Sequence, residues 1–178
     1  MEITTKATLV TELKTAAQTA VAWYTAIPAD AFFTRHGETW SPSDNVDHLI
    51  RAVTPLTRGL KLPKFVLQIL FGRAHIPSRS YAEICKAYED VLATGVGASG
   101  AFLPDQQTPS DKQKQKTVLI DRLSKRGNDL AVLIDQKWTD AALDECLLPH
   151  PLLGKLTVRE MLYFTIYHLL RHARPEGD

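Results

Sequence analysis

Residues 157–172 read Thr157-Val158-Arg159-Glu160-Met161-Leu162-Tyr163-Phe164-Thr165-Ile166-Tyr167-His168-Leu169-Leu170-Arg171-His172. Thr157 followed three positions later by Glu160 is a capping box: the hydroxyl accepts from the third helical amide, and the acid bonds back to the cap. A helix is therefore expected from Thr157 to about His172, with Pro175 just beyond it. Met161, Leu162, Phe164, Ile166, Leu169 and Leu170 surround that helix almost completely. A helix apolar on nearly every side is central or lies at an interface. It needs other helices around it, so this stretch selects a helical bundle.

The other helix starts are written in the same code. Ser80-x-x-Glu83 and Ser110-x-x-Gln113 fit the capping box, and Ser41-Pro42-Ser43-Asp44 is a weaker version with proline at its favoured first position. A first helix is expected over residues 5–27, with Leu9, Leu13, Ala16, Ala17, Ala20 and Tyr24 on one stripe. The second opens at Ser41, carries Val46, Leu49, Ile50 and Val53, and is expected to bend or end at Pro55. The third follows Ser80 and the fourth follows Ser110, with a short helix after Thr139. No segment sustains the alternation of a strand, so no sheet is expected. The fold class is all-α: a four-helix bundle with additional short helices, in a single domain over residues 1–178. Residues 94–109 are rich in glycine and proline and read as a long loop, either functional or mobile.

Composition narrows the function classes. The 178 residues carry 21 Lys+Arg against 20 Asp+Glu, a net charge of +1, which argues against a dedicated nucleic-acid binder. At 44% hydrophobic residues the chain is too apolar for disorder. The longest apolar run, residues 65–71, includes Gln68 and is far short of the roughly 20 residues of a membrane span. It reads as core or dimer interface. The first residues, Met1-Glu2-Ile3-Thr4-Thr5, lack the basic and apolar regions of a signal peptide, so a cytoplasmic location is expected. Cys85 and Cys146 form no CxxC pair and read as two core thiols. The absence of GxGxxG, P-loop and GxSxG patterns disfavours a nucleotide enzyme or a serine hydrolase.

Chemistry is concentrated in the histidines. His168 and His172 stand four apart on one helix face, where two imidazoles can converge. They make half of a transition-metal site. Leu169 occupies the position of the glutamate in HExxH, which disfavours a zincin-type peptidase. Buried histidines need partners, and a metal would supply them. A third ligand is left open among His48, His150 and His36, because His48 lies away from the centre of its own apolar stripe.

The stretch Glu38-Thr-Trp40-Ser41-Pro42-Ser-Asp-Asn-Val-Asp-His48-Leu49 resembles the signature of the DinB/YfiT-like family, in which a W-S/T-P segment opens a helix carrying a metal-binding histidine. His150-Pro-Leu-Leu-Gly154-Lys-Leu156-Thr157 resembles its HPxxGxLT approach to the last helix, and His168-x-x-Arg171-His172 its HxxRH. The chain departs from the family pattern at Pro175, where glutamine is frequent, and at Leu169 and Leu170, which replace residues that are often polar.

The resemblance implies a homodimeric bundle whose His48, His168 and His172 bind Zn, Ni or Fe. It implies a transferase or isomerase that uses a low-molecular-weight thiol, with a small thiol and an electrophile as partners. The balanced charge and the short apolar runs argue against nucleic acid and membrane as partners. The catalytic residues stay unknown. Trp40, Arg171, Glu160 and Arg51 are candidates for supporting the ligands or binding substrate. Trp40 reads as a staple ahead of the second helix, and Arg171 as a partner of Glu160 or Asp47. Two alternatives stand beside this one. The first is a non-catalytic metal- or ligand-binding bundle with a stress-related role. The second is an anion- or membrane-surface binder using residues 51–79, where Arg51, Arg58, Lys61, Lys64, Arg73 and Arg79 occur without an acid. The lysines of the fourth helix, Lys112, Lys114 and Lys116, read as a solvated face.

Overall fold

The structure, a computed structural model, describes residues 3–174. Four long helices form the bundle: α1 (Lys6–Ala26), α3 (Pro42–Gly59), α6 (Lys112–Lys137) and α8 (Val158–His172). Between them lie the shorter α2 (Ala29–Phe32), α4 (Lys64–Phe71), α5 (Tyr81–Leu92) and α7 (Asp140–Glu145). α1 and α3 each pack along both α6 and α8, so the four close into a ring with α1 opposite α3. α5 and α7 cover the remaining sides of α8. That enclosure explains why α8 is apolar nearly all round: Val158, Leu162, Ile166 and Leu169 are almost inaccessible.

The caps form where the local chemistry demands them. Ser41, Ser80 and Thr157 each accept from the third helical amide, and Asp44, Glu83 and Glu160 return the bond. Each such cap stabilises its helix by about 1 kcal/mol. α6 is the exception: its cap is Asp111, which accepts from the Lys114 amide, and not Ser110. Two adjacent cap residues competed, and the carboxylate took the position. Pro55 neither ends nor breaks α3, which continues to Gly59.

One expectation is overturned. A two-stranded antiparallel hairpin, β1 (Leu147–His150) and β2 (Gly154–Thr157), leads directly into α8, with Leu148 opposite Leu156 and His150 opposite Gly154. Its strands are four residues each, too short for alternation to show. Gly154 turns the chain back at a φ of 72°, a region that favours glycine. The hairpin fixes the start of α8: Thr157 is both the last strand residue and the helix cap. Ser78 donates to Asp144, whose carboxylate also receives Arg159, itself paired with Asp140. Arg159 is buried, and these partners offset its desolvation.

Two features hold α1 to the bundle. A Cβ on Gly127 of α6 would lie 2.7 Å from the Ala17 Cβ, so the two helices approach closely there only because residue 127 has no side chain. Lys116 is not on a solvated face. It is buried, and its Nζ donates to the Thr25 and Ile27 carbonyls, at the C-terminal end of α1. α1 has no basic residue in its own last turn, so a lysine from another helix satisfies its free carbonyls. Lys112 pairs with Asp30.

Candidate metal centre

The ring of helices brings three histidines to one point. His48 comes from the middle of α3, and His168 and His172 come from adjacent turns of α8. One ring nitrogen from each lies within 4.8 Å of the others. His48 and His168 are buried, and His172 is half-buried. The one-sided apolar stripe of α3 faces α6, and His48 looks to the second interface, toward α8. His36 and His75 are exposed and elsewhere. His150 is buried nearby but outside the cluster.

The hydrogen bonds fix which nitrogen each ring offers. His48 Nδ1 donates to the Phe102 carbonyl at 2.7 Å, and His172 Nδ1 donates to Asn45 Oδ1 at 2.9 Å. Each therefore carries its proton on Nδ1 and presents a bare Nε2. The Nε2 atoms of His48 and His168 are 3.0 Å apart, so His168 Nε2–H donates to His48. A metal would take that proton's place. Histidine ligands regularly give their other N–H to a carbonyl or amide oxygen in this way. Burial lowers the pKa of all three. His172 falls to about 3, with His48 and Arg171 adding repulsion, and His168 falls well below 6.5. For His48 the Phe102 carbonyl and Asp47 partly oppose the effect of burial. At neutral pH the rings are uncharged, the form that binds metal. Three neutral imidazoles, close together and already oriented by acceptors on two of them, fit a divalent transition metal and leave part of its coordination open.

Phe102 and Asn45 were missed in the sequence. Asn45 is one helical turn before His48, a spacing that could have flagged it. Phe102 acts through its backbone, which carries no sequence signal. It sits in a 3₁₀ turn (Gly100–Phe102) within the 94–109 loop, so that loop contributes to the site. Arg51 pairs with Asp47 and with Asp105 of the loop, and Asp47 accepts from the Asp105 amide. Arg51 thus pins the loop that holds His48. Trp40 is not a staple, since the residue it would need four positions into α3 is Asn45. Its ring lies 5.0 Å from His48 and nearly parallel to His172 at 6.4 Å. Glu160 is engaged by Arg79 and by its capping box. Arg171 is exposed and pairs with neither Glu160 nor Asp47. Pro175 lies outside the described residues.

A cavity of about 270 Å³ adjoins the cluster. His48 and His168 form part of its wall, with Val53, Leu56, Phe71 and Met161 among the apolar remainder. No lysine, arginine, aspartate or glutamate lines it. Residues 51–79 do not present one free basic face: Arg51, Arg73 and Arg79 are each paired with an acid. Among the described residues no helix is long and apolar enough to cross a membrane. Cys85 and Cys146 are unpaired, and burial raises both thiol pKa values.

A family model described as the DinB superfamily matches residues 12–174. No curated protein matches the chain, and no solved structure does.

Proposed function

Since the chain belongs to the DinB superfamily, we propose that it is a metal-dependent transferase or isomerase that uses a low-molecular-weight thiol at a site formed by His48, His168 and His172. The convergence of three neutral imidazoles beside an apolar cavity is the observation that supports this most. A Zn, Ni or Fe ion held there would supply Lewis acidity that favours the deprotonated thiol. His48 and His172 would be held in ligating orientation by Phe102 and Asn45. The sulfur–carbon bond forms as the electrophile's leaving group departs with the thiol proton. In an addition, that proton ends on carbon instead. In an isomerisation the thiolate would add, the former double bond would turn, and the carbon–sulfur bond would break again to release the thiolate unchanged. Loop residues 97–99 and Phe102 border the cavity.

The homodimer belongs to the same reading. Phe65, Ile69 and Leu70 of α4 are exposed and would supply its apolar contact. The test is elemental analysis of the untagged protein beside His168→Ala, followed by turnover of an electrophile with a small thiol. About one equivalent of Zn, Ni or Fe, lost in the variant, is expected. Wild-type protein that takes up no metal near neutral pH would refute the proposal. Metal uptake without turnover would favour the non-catalytic binding protein.

A further inference from the structure

His150 has a feature that the three-histidine cluster does not use. Its Nδ1 accepts from the Leu152 and Leu153 amides at 3.2 and 3.1 Å, at the turn of the hairpin. A nitrogen that accepts two N–H groups carries no proton, so the neutral ring must hold its proton on Nε2. Among the described residues that N–H has no acceptor, yet no buried polar side-chain atom is left unsatisfied. The residue is 9% exposed and belongs to the cavity wall. The N–H therefore opens into the cavity, in a largely apolar wall that includes Phe164, whose ring centroid is 4.3 Å from that of His150.

Of the other polar side chains on that wall, His48 uses both ring nitrogens, His168 has Nε2 against His48, and the Thr165 hydroxyl donates to Met161. The Tyr88 and Ser99 hydroxyls also border the cavity, and both are neutral. With no charged side chain on the lining, a carboxylate or phosphate there would be a buried unpaired charge, which is costly.

We propose that the cavity binds an uncharged, predominantly apolar molecule carrying one hydrogen-bond acceptor, such as a ketone or enone, and that the His150 Nε2–H receives that acceptor. A cavity of 150 Å³ holds benzene, so about 270 Å³ scales to a ligand of about 11 non-hydrogen atoms. Such a molecule would lie beside His48 and His168. Calling it the electrophile rests on the thiol-transfer reading, but its binding does not. A thiol bearing carboxylates would then have to approach from the His172 side, which does not line the cavity.

The probe is 4-phenylbutan-2-one, compared with 3-phenylpropanoate and with 2-methyl-4-phenylbut-1-ene, which lacks the acceptor. Titration calorimetry on metal-stripped and on zinc-loaded protein separates this proposal from the metal site. Failure to hold zinc would refute the metal reading and leave ketone binding intact. On the metal-stripped protein the ketone is expected to bind about 100-fold or more tightly than the carboxylate. His150→Phe is expected to weaken the ketone about three- to tenfold and to leave the alkene unchanged. His150→Asn, whose amide oxygen can still receive the two turn amides, should show the same loss with the hairpin intact. Nitrogen-15 spectra of wild type should show His150 protonated at Nε2. Equal binding of carboxylate and ketone to the metal-stripped protein, no ketone binding, equal loss for ketone and alkene, or an Nδ1–H tautomer would each overturn the proposal.

Discussion

Asn45→Ala removes the acceptor that orients His172 without touching a ligand. In the wild type, His172 Nδ1–H gives its proton to Asn45 Oδ1 at 2.9 Å, which commits Nε2 to the metal. Without that oxygen the ring can turn, or hold its proton on Nε2, where it cannot ligate. Loss of such a partner typically lowers metal affinity about 10- to 100-fold, about 1.4–2.7 kcal/mol. Asn45 and His172 are both half-buried, so water can replace part of the lost bond. The expected effect therefore lies at the lower end, about tenfold. Asn45→Asp places a charged acceptor at the same point and should tighten binding several-fold relative to wild type. Competition for zinc against a chromophoric chelator measures both, and the melting temperature of the stripped protein controls for folding. Unchanged zinc affinity in Asn45→Ala, with unchanged melting temperature, would mean that His172 does not bind through Nε2 as its hydrogen bond requires.

Lys116→Met leaves the Thr25 and Ile27 carbonyls without their donor and should lower stability by about 1–3 kcal/mol in urea titration. An undiminished midpoint would show that water caps α1 equally well. Gly127→Ala forces α1 and α6 apart at Ala17 and should cost about 1–3 kcal/mol, with partial recovery in the Ala17→Gly double variant. Burial holds His150 at about 4 and His172 at about 3, below the unfolded value of 6.5. The unfolded chain then binds protons that the native chain refuses, so stability of the metal-stripped protein is full above about pH 6.5 and declines as pH falls toward 3. His150→Phe should flatten the part of that decline above pH 4, read from urea midpoints across the range. Sedimentation of wild type against Ile69→Lys tests the proposed dimer: wild type should sediment as a dimer and the variant as a monomer.

Capping boxes made much of the bundle legible because they are local. Ser41, Ser80 and Thr157 each decide a helix start from a few consecutive residues, and all three act as read. His168 and His172 share a helix face by spacing alone. His48 was not legible from periodicity, because α3 is buried on two sides and a single-stripe reading allows for one. Lys116 was misread for a related reason: its neighbours in sequence are solvated, and only the end of α1, some 90 residues earlier, explains its burial. The hairpin escaped notice because its register is set by the turn at Gly154 and not by alternation. The Phe102 contact uses a carbonyl that every residue possesses, so nothing in its side chain could announce it.

That carbonyl also joins two processes that would otherwise be independent. Because Phe102 sets the proton position on His48, lifting the 94–109 loop releases the ring, and whatever occupies the ring's Nε2 must in turn hold the loop down. Linkage makes the two free energies equal: the factor by which metal lowers the open-loop population is the factor by which an open loop weakens metal binding. A protease that cuts only the lifted loop would thus serve as a clock for occupancy, running slower in proportion to the metal held. A glycine-rich surface segment would then report on the occupancy of a largely buried centre.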